Sequence, residues 1–221
     1  MKRTKIICTM GPNTNDRNLM KALAENGMDV ARFNFSHGDY EEQKTRLDML
    51  KSVREELDLP IAALLDTKGP EIRTGVLKDG KKVTLVEGQT YTLTTDDIIG
   101  DETMGHITYE RLHEDVKAGN KILIDDGLIE LDVVEVNGNN IVCSVVNGGE
   151  LGEKKGVNVP NVKVKLPALT EKDKADILFG IEQGFDFIAA SFVRTAAAIL
   201  EIKEILSEHG SNMAVIAKIE N

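Results

Sequence analysis

The chain has 221 residues, of which 41% are hydrophobic, enough for a sizeable core in one large domain or two modest ones and too many for a disordered tail. Lysine and arginine number 27 against 37 aspartates and glutamates, a formal charge of -10, and only 4% of residues are aromatic. That balance excludes phosphate-backbone tracking and base stacking as the main activity, so no nucleic-acid partner is expected and an anionic substrate would need a local cationic site.

Through the first third, short apolar runs alternate with amphipathic stretches: residues 5–10 then 16–26, 29–35 then 40–57, and 61–66. These periods predict strand, helix, strand, helix, strand. Asp16 can cap the first helix, Gly27 can close it, and Pro60 sits just past the second, which it cannot continue. Repeated βα units predict a parallel sheet, open or closed into a barrel. From about residue 71 to 165 the texture changes to short strands of valine, isoleucine and threonine, with hairpin signals at Asp79-Gly80, Asp126-Gly127, Asn137-Gly138 and Gly148-Gly149. The clearest hairpin runs over 127–136, turns at Asn137-Gly138-Asn139-Asn140 and returns over 141–146. After Pro167 the first texture returns. Thr170-Glu171-Lys172-Asp173 reads as a capping box, with aspartate where Glu or Gln is usual, and opens a helix to about Gln183. A strand over 185–192, a helix over 196–209 and a strand over 213–219 follow. The α/β domain is therefore expected to be discontinuous, formed by 1–69 and 168–221 around an all-β insert at 70–167.

Cys8 and Cys143 both lie in apolar strand-like runs, which favours buried thiols in a reducing compartment over a disulfide or metal pair. The basic N-terminus lacks the apolar core of a secretory signal, and nothing approaches the roughly 18 consecutive apolar residues of a membrane span. A cytoplasmic chain without a membrane partner is expected.

The chemistry is densest in one segment. The apolar run over 61–65 delivers Asp66, Thr67, Lys68, Gly69, Pro70, Glu71, Arg73, Thr74 and Gly75 within ten residues, a ligand loop on a rigid strand and also a domain boundary. A parallel barrel presents the carboxyl ends of its strands as one active face. That face would gather 9–12, 32–38, 66–73, 191–194 and 218–221. In Arg32-Phe33-Asn34-Phe35-Ser36-His37-Gly38, extended-chain alternation puts Arg32, Asn34 and Ser36 on one side and the two phenylalanines on the other. Arginine can hold a phosphate or carboxylate with paired hydrogen bonds, and the neutral oxygens suit a weakly bound hard cation; a salt bridge inside the barrel with polar filling is the plainer alternative. Lys218 and Glu220 are likewise two apart, with Ile219 expected to pack away. The carboxylate can hold magnesium and the lysine can neutralise an enolate or a transferring phosphoryl oxygen, or the two simply pair. Ser191 and Arg194 are weaker candidates, His37 is a possible ligand contact, and Asp125-Asp126-Gly127 reads as a hairpin turn that could offer a carboxylate. There is no Walker loop, no Rossmann glycine turn and no paired cysteine and histidine spacing for zinc.

Cys8-Thr9-Met10-Gly11-Pro12, the segment 32–38, Leu65 through Gly75, Asp125 through Ile129, Lys155-Gly156-Val157-Asn158 and Ala217-Lys218-Ile219-Glu220-Asn221 together resemble the pyruvate kinase family, bacterial type. The match runs in order along the whole chain. The resemblance implies a partial (β/α)8 barrel of about five of eight strands, interrupted by a small β-barrel lid. It implies a phosphotransferase of glycolysis that moves the phosphoryl group of phosphoenolpyruvate to ADP, giving pyruvate and ATP. Carried across, Arg32 would bind the transferring phosphate and Lys218 would stabilise the phosphoryl and enolate charge. Asn34, Ser36, Asp66 and Thr67 would hold K+, Glu220 would ligate Mg2+ or Mn2+, and Arg73, with His37 less strongly, would meet the nucleotide. Glu71 is the occupant that accompanies K+ dependence in this family, so K+ activation of the full-length enzyme, expected to be a homotetramer, is implied. Met10 and Phe33 replace isoleucine and leucine, and Thr195-Ala196-Ala197-Ala198 replaces a more polar helix start. The family continues beyond the metal glutamate, so the chain is expected to be a piece with an incomplete site and negligible kinase activity of its own. Two other readings remain: a pyruvate or phosphoenolpyruvate lyase or aldolase barrel forming a Schiff base at Lys218, and a non-catalytic folding unit whose insert is the stable part.

Overall fold

The computed structural model describes residues 3–220. In chain order the elements are β1 (Ile7–Met10), α1 (Arg17–Glu25), β2 (Val30–Asn34), α2 (Tyr40–Leu57) and β3 (Ala62–Asp66). Next come β4 (Ile72–Arg73), β5 (Val83–Leu85), β6 (Thr90–Thr94), β7 (Met104–His106), α3 (Leu112–Asp115), β8 (Lys121–Ile124), β9 (Ile129–Asn137), β10 (Asn140–Asn147), β11 (Gly149–Leu151) and β12 (Gly156–Asn158). The last four are α4 (Glu171–Gln183), β13 (Phe187–Ala190), α5 (Ala196–Glu208) and β14 (Ala214–Ala217). Two compact units result: one holds the residues up to Pro70 together with Pro167–Glu220, the other Glu71–Leu166.

The first unit is a five-stranded, all-parallel sheet in the order β1-β2-β3-β13-β14. Its strands keep chain order from edge to edge, the arrangement of part of a (β/α)8 barrel. The helices start where side chains can satisfy their first amides. Asp16 accepts from the Leu19 N–H and Asp39 from the Glu42 N–H, and the Thr170–Asp173 capping box is reciprocal even with aspartate in its third position. Thr195, by contrast, caps α5 with no side-chain bond. Phe33, Met20, Leu47, Leu50, Leu65, Ile177, Ile188 and Ile202 are fully buried, and Phe33 meets Phe185 edge-on at 5.2 Å. The outer strands are less covered: Ile7 on β1 and Ile216 on β14 are exposed. Ile219 corrects an expectation, because it lies 69% exposed rather than packed; past the last residue of β14 no described element covers it.

The second unit is a seven-stranded sheet, β4-β12-β8-β9-β10-β6-β7, beside the pair β11-β5. Its two edges meet. A bridge joins Thr74 to Ile107, the Gly75 N–H donates to His106 O at 2.9 Å and the Thr108 N–H to Arg73 O at 2.9 Å. This contact curls the sheet into a small barrel, which removes its free edges. Tyr91, Leu93, Ile107, Leu112, Ile122 and Leu131 fill it. Two of the four hairpin signals join antiparallel neighbours, Asp126-Gly127 between β8 and β9 and Asn137-Gly138 between β9 and β10. In the latter Asn137 pairs with Asn140, so the turn has two residues rather than four, with Gly138 at φ 59 in the first central position; that is where a type II′ turn puts glycine. Asp79-Gly80 and Gly148-Gly149 do not close hairpins. The strands they connect pair elsewhere, β4 with β12 and β5 with β11, so these glycines make corners between sheets.

Cys143 is buried in the second unit and burial pushes its thiol up to about 12, while Cys8 is half-buried in the first; neither forms a disulfide. Among the described residues no helix is long and apolar enough to cross a membrane.

Candidate active site at the strand ends

Parallel pairing brings the carboxyl ends of β2, β3, β13 and β14 to one side. Register sets the details: Asn34 pairs with Asp66, and Asp66 with Ala189. Asp66 is the last residue of β3 and is 1% exposed. A carboxylate so deep needs partners, and it has four donors. Its Oδ2 accepts from Arg32 Nε at 2.6 Å and lies 2.6 Å from Arg32 Nη2. Its Oδ1 accepts from Lys218 Nζ at 3.0 Å and from the Ser191 hydroxyl at 3.3 Å. Arg32 also donates through Nη1 to Thr9 Oγ1 at 2.9 Å.

Lys218 forms the next link. Its ammonium donates to Ser191 Oγ at 3.0 Å and lies 3.3 Å from Glu220 Oε1. The other Glu220 oxygen accepts the Phe192 N–H at 3.0 Å. Phe192 adopts a left-handed φ of 54°, a conformation that costs a non-glycine residue about 1 kcal/mol or more; the turn so made aims its amide at the glutamate. Arg194 steadies the same turn, its guanidinium 6.0 Å from the Phe192 ring and bonded to Pro70 O at 3.2 Å. The result is two cations joined by a buried carboxylate. The side chains of Arg32 and Lys218 remain 33% and 30% exposed, so each has a face left for an anion.

The other oxygens sit beside this chain of charges. Asn34 Oδ1 accepts the Ser36 N–H at 3.0 Å, which tightens the turn after β2. Gln43 on α2 donates to Asn34 O at 3.1 Å and to His37 O at 2.8 Å, fixing the same turn. Thr67 Oγ1 accepts the Ser191 N–H at 3.1 Å, and Thr67 O accepts the Ser191 hydroxyl at 2.5 Å. The donors offered by Asn34, Ser36, Asp66 and Thr67 are all hard oxygens with a single carboxylate, a set that fits a monovalent hard cation. Among the described residues no group of three or more His, Cys, Asp or Glu side chains converges as a metal site. Glu220 alone fits Mg2+ only in the way that ion usually binds, through one or two carboxylates completed by water and phosphate oxygens.

Thus Arg32, Asn34, Ser36, Asp66, Thr67, Lys218 and Glu220 all belong to the first unit, with Asp66 touching Arg32 and Lys218 directly. His37 is exposed on the turn after β2. Arg73 lies in the second unit, where it pairs with Glu71 at 2.7 Å and donates to Lys154 O at 2.7 Å; the Glu71 bond raises its already high pKa. Asp125 there pairs with Lys155 at 2.9 Å. Asn221 lies outside the described residues. Ser191 is more central than its sequence signal suggested: it follows the apolar residues of β13 as Asp66 ends those of β3, and its hydroxyl touches Asp66, Thr67 and Lys218. Thr9 belongs to the segment 9–12 expected on this face, whereas Gln43 carried no signal.

Comparison with known proteins agrees with this architecture. The family model for the pyruvate kinase barrel domain matches residues 1–221. The pyruvate kinases of Staphylococcus aureus strains USA300, NCTC 8325 / PS 47 and COL are 48% identical to the chain over 223 residues. Those alignments cover 100% of this chain and 38% of each relative, so the chain spans well under half the length of the curated relatives it matches. With a family model matched from end to end and a parallel half-barrel carrying the charged strand ends, the chain belongs to the pyruvate kinase family.

Proposed function

We propose that these strand ends serve transfer of the phosphoryl group of phosphoenolpyruvate to ADP, giving ATP and the enolate that is protonated to pyruvate. The observation that carries the reading is the buried Asp66 carboxylate flanked by Arg32 and Lys218. It holds two cations close together while leaving each partly exposed, as a site for a doubly charged phosphate needs. Arg32 binds the transferring phosphate. Lys218 faces charge that develops on the phosphoryl and enolate oxygens, and the ion pairs with Asp66 and Glu220 fix its position. Positioning and charge neutralisation supply most of the catalysis in such transfers.

Asn34, Ser36, Asp66 and Thr67 hold K+ in this reading, and Glu220 holds Mg2+ or Mn2+. When bound, these ions supply positive charge against the phosphate oxygens. Arg73 in the second unit and His37 in the first are separate candidate contacts for the nucleotide. Lys218 Nζ is engaged by two carboxylates, Asp66 at 3.0 Å and Glu220 at 3.3 Å, which favours charge stabilisation over a Schiff base at this residue, so borohydride in the presence of pyruvate should leave no adduct on Lys218. The deciding measurement is calorimetric titration of phosphoenolpyruvate into the chain with Mg2+ and K+ present. Arg32→Gln should weaken binding by about ten-fold or more, the loss expected of a charge-assisted pair. Equal affinity in the variant would overturn the assignment.

A further inference from the structure

The first turn of α4 reaches both loops that carry the proposed cation ligands. Toward β3, Asp173 is fully buried and its Oδ1 accepts the Gly69 N–H at 2.9 Å. Its Oδ2 is held by the Thr170 N–H at 2.9 Å and the Thr170 hydroxyl at 2.6 Å. Gly69 is confined from the opposite side. Its φ is +71°, and a Cβ there would stand 2.8 Å from the Ser191 carbonyl oxygen. The turn after Asp66 is therefore wedged between Ser191 and Asp173.

Toward β2, Lys172 Nζ donates to Phe35 O at 3.0 Å and to Asp176 Oδ2 at 2.6 Å. Asp176 is fully buried, and its Oδ1 accepts the Tyr40 hydroxyl at 2.8 Å. Burial raises the Asp176 carboxyl while Lys172 and Tyr40 hold it back, and burial pushes the Tyr40 phenol up to about 12. Phe35 and Tyr40 bracket the turn that bears Ser36, so this chain of bonds fixes both of its ends.

Neither set of contacts is needed to make or seat the helix. The capping box uses only one oxygen of Asp173, and α4 already packs through Ile177, while Phe179 stacks on Tyr40 at 4.6 Å. Asp173 and Asp176 are fully buried, and Lys172, whose side chain is 48% exposed, reaches in to the second of them; buried carboxylates are seldom more stable than apolar replacements of the same shape, so their placement against these two loops calls for another account. We propose that Lys172 and Asp173 are positioning residues that fix the Asn34–Ser36 loop relative to the Asp66–Thr67 loop and thereby set the site's affinity for a monovalent cation.

This inference rests on the cation reading given above, and the test separates the two. The probe is thallous ion, close to K+ in charge and size, titrated into the full chain and followed by thallium NMR. Lys172→Met and Asp173→Ala should each weaken thallous binding by about ten-fold or more, the usual range when the groups that orient metal ligands are removed. Leu206→Ala, which loosens the buried end of α5, should stay within about two-fold of the unsubstituted chain, and Lys172→Arg should recover most of the loss. Affinities within about two-fold in both Lys172→Met and Asp173→Ala overturn the inference. If those two variants do not fold, Tyr40→Phe decides: it keeps the stack on Phe179 and removes only the hydroxyl on Asp176, so weaker thallous binding supports the inference and unchanged binding overturns it. Failure of the cation reading looks different, because the unsubstituted chain then binds no thallous ion and the positioning inference falls with it.

Discussion

Asp66→Asn removes the charge at the centre of the site while nearly preserving its shape. Three N–H contacts from cationic groups end on this carboxylate, two from Arg32 at 2.6 Å and one from Lys218 at 3.0 Å. A hydrogen bond to a charged group contributes about 1 kcal/mol more than a neutral one, which gives a loss of about 3 kcal/mol before solvent is considered. Both cations are about one-third exposed, so water recovers part of this and about 2 kcal/mol should remain. The unit that contains Asp66 also contains α1, α2, α4 and α5, whereas the other has only the four-residue α3. Helical circular dichroism during urea unfolding therefore follows the relevant unit. With a slope of about 1–3 kcal/mol per molar urea, the midpoint should fall by about 1 M. Lys218→Met should cost less when added to the Asp66→Asn variant than in the unsubstituted chain, because one unpaired cation is then removed. A midpoint shift below about 0.3 M, or strict additivity of the two changes, would refute the view that Asp66 organises these charges.

Gly69→Ala places a side chain at φ +71° and directs its Cβ at the Ser191 backbone; the left-handed strain alone costs about 1–2 kcal/mol and the contact adds to it. A loss of unfolding free energy under about 0.5 kcal/mol, the range of an indifferent surface change, would show that the turn can relax. Glu56 gives a pH test. The bonds from Lys21 and then Arg17 lower its carboxyl to about 2 in the folded chain from a usual value of 4.5. Its contribution to stability is therefore present at neutral pH, shrinks as pH falls below 4.5 and is lost as pH falls through about 2. The stability difference between the unsubstituted chain and Glu56→Gln, measured by urea unfolding across that range, should close on the acid side and shrink with added salt. A difference that stays constant down to the acid limit would contradict the assignment.

How much of this could be read from the sequence depends on the range of the interaction concerned. Local rules placed α2 at Tyr40–Leu57 and opened α4 at Thr170, because caps and apolar periods act within a few residues. Alternation separated Arg32 and Asn34 from Phe33 and Phe35, and the two phenylalanines are indeed in the core. Turn chemistry was less informative. Asp79-Gly80 and Asp126-Gly127 look alike, yet only the second joins neighbouring strands, since pairing of β4 and β5 is decided by distant partners, β12 and β11. Ile219 shows the same limit from another side: parity assigns it a face, but burial requires another element to cover that face.

The candidate site follows the same division. Strand-end position alone marked Asp66, Lys218 and Glu220, because a buried strand that ends in a charged residue must place that charge near the opening of the sheet. The relation among them was not visible: 152 residues separate Lys218 from Asp66 in the chain, and only the order β2-β3-β13-β14 makes one carboxylate the common partner of Arg32 and Lys218. Ser191 illustrates why. Serine after an apolar run is common, and its role arises from being held between Thr67 and Lys218 by sheet register. The Lys172–Asp173 contacts lie further still from sequence rules, since a capping aspartate looks the same whether or not its second oxygen holds a distant glycine. A charged residue can thus be recognised locally as capable of chemistry, but the pairing that fixes its partner and direction is a property of the sheet order, and substitutions that alter that order should disturb function before they disturb any single ligand.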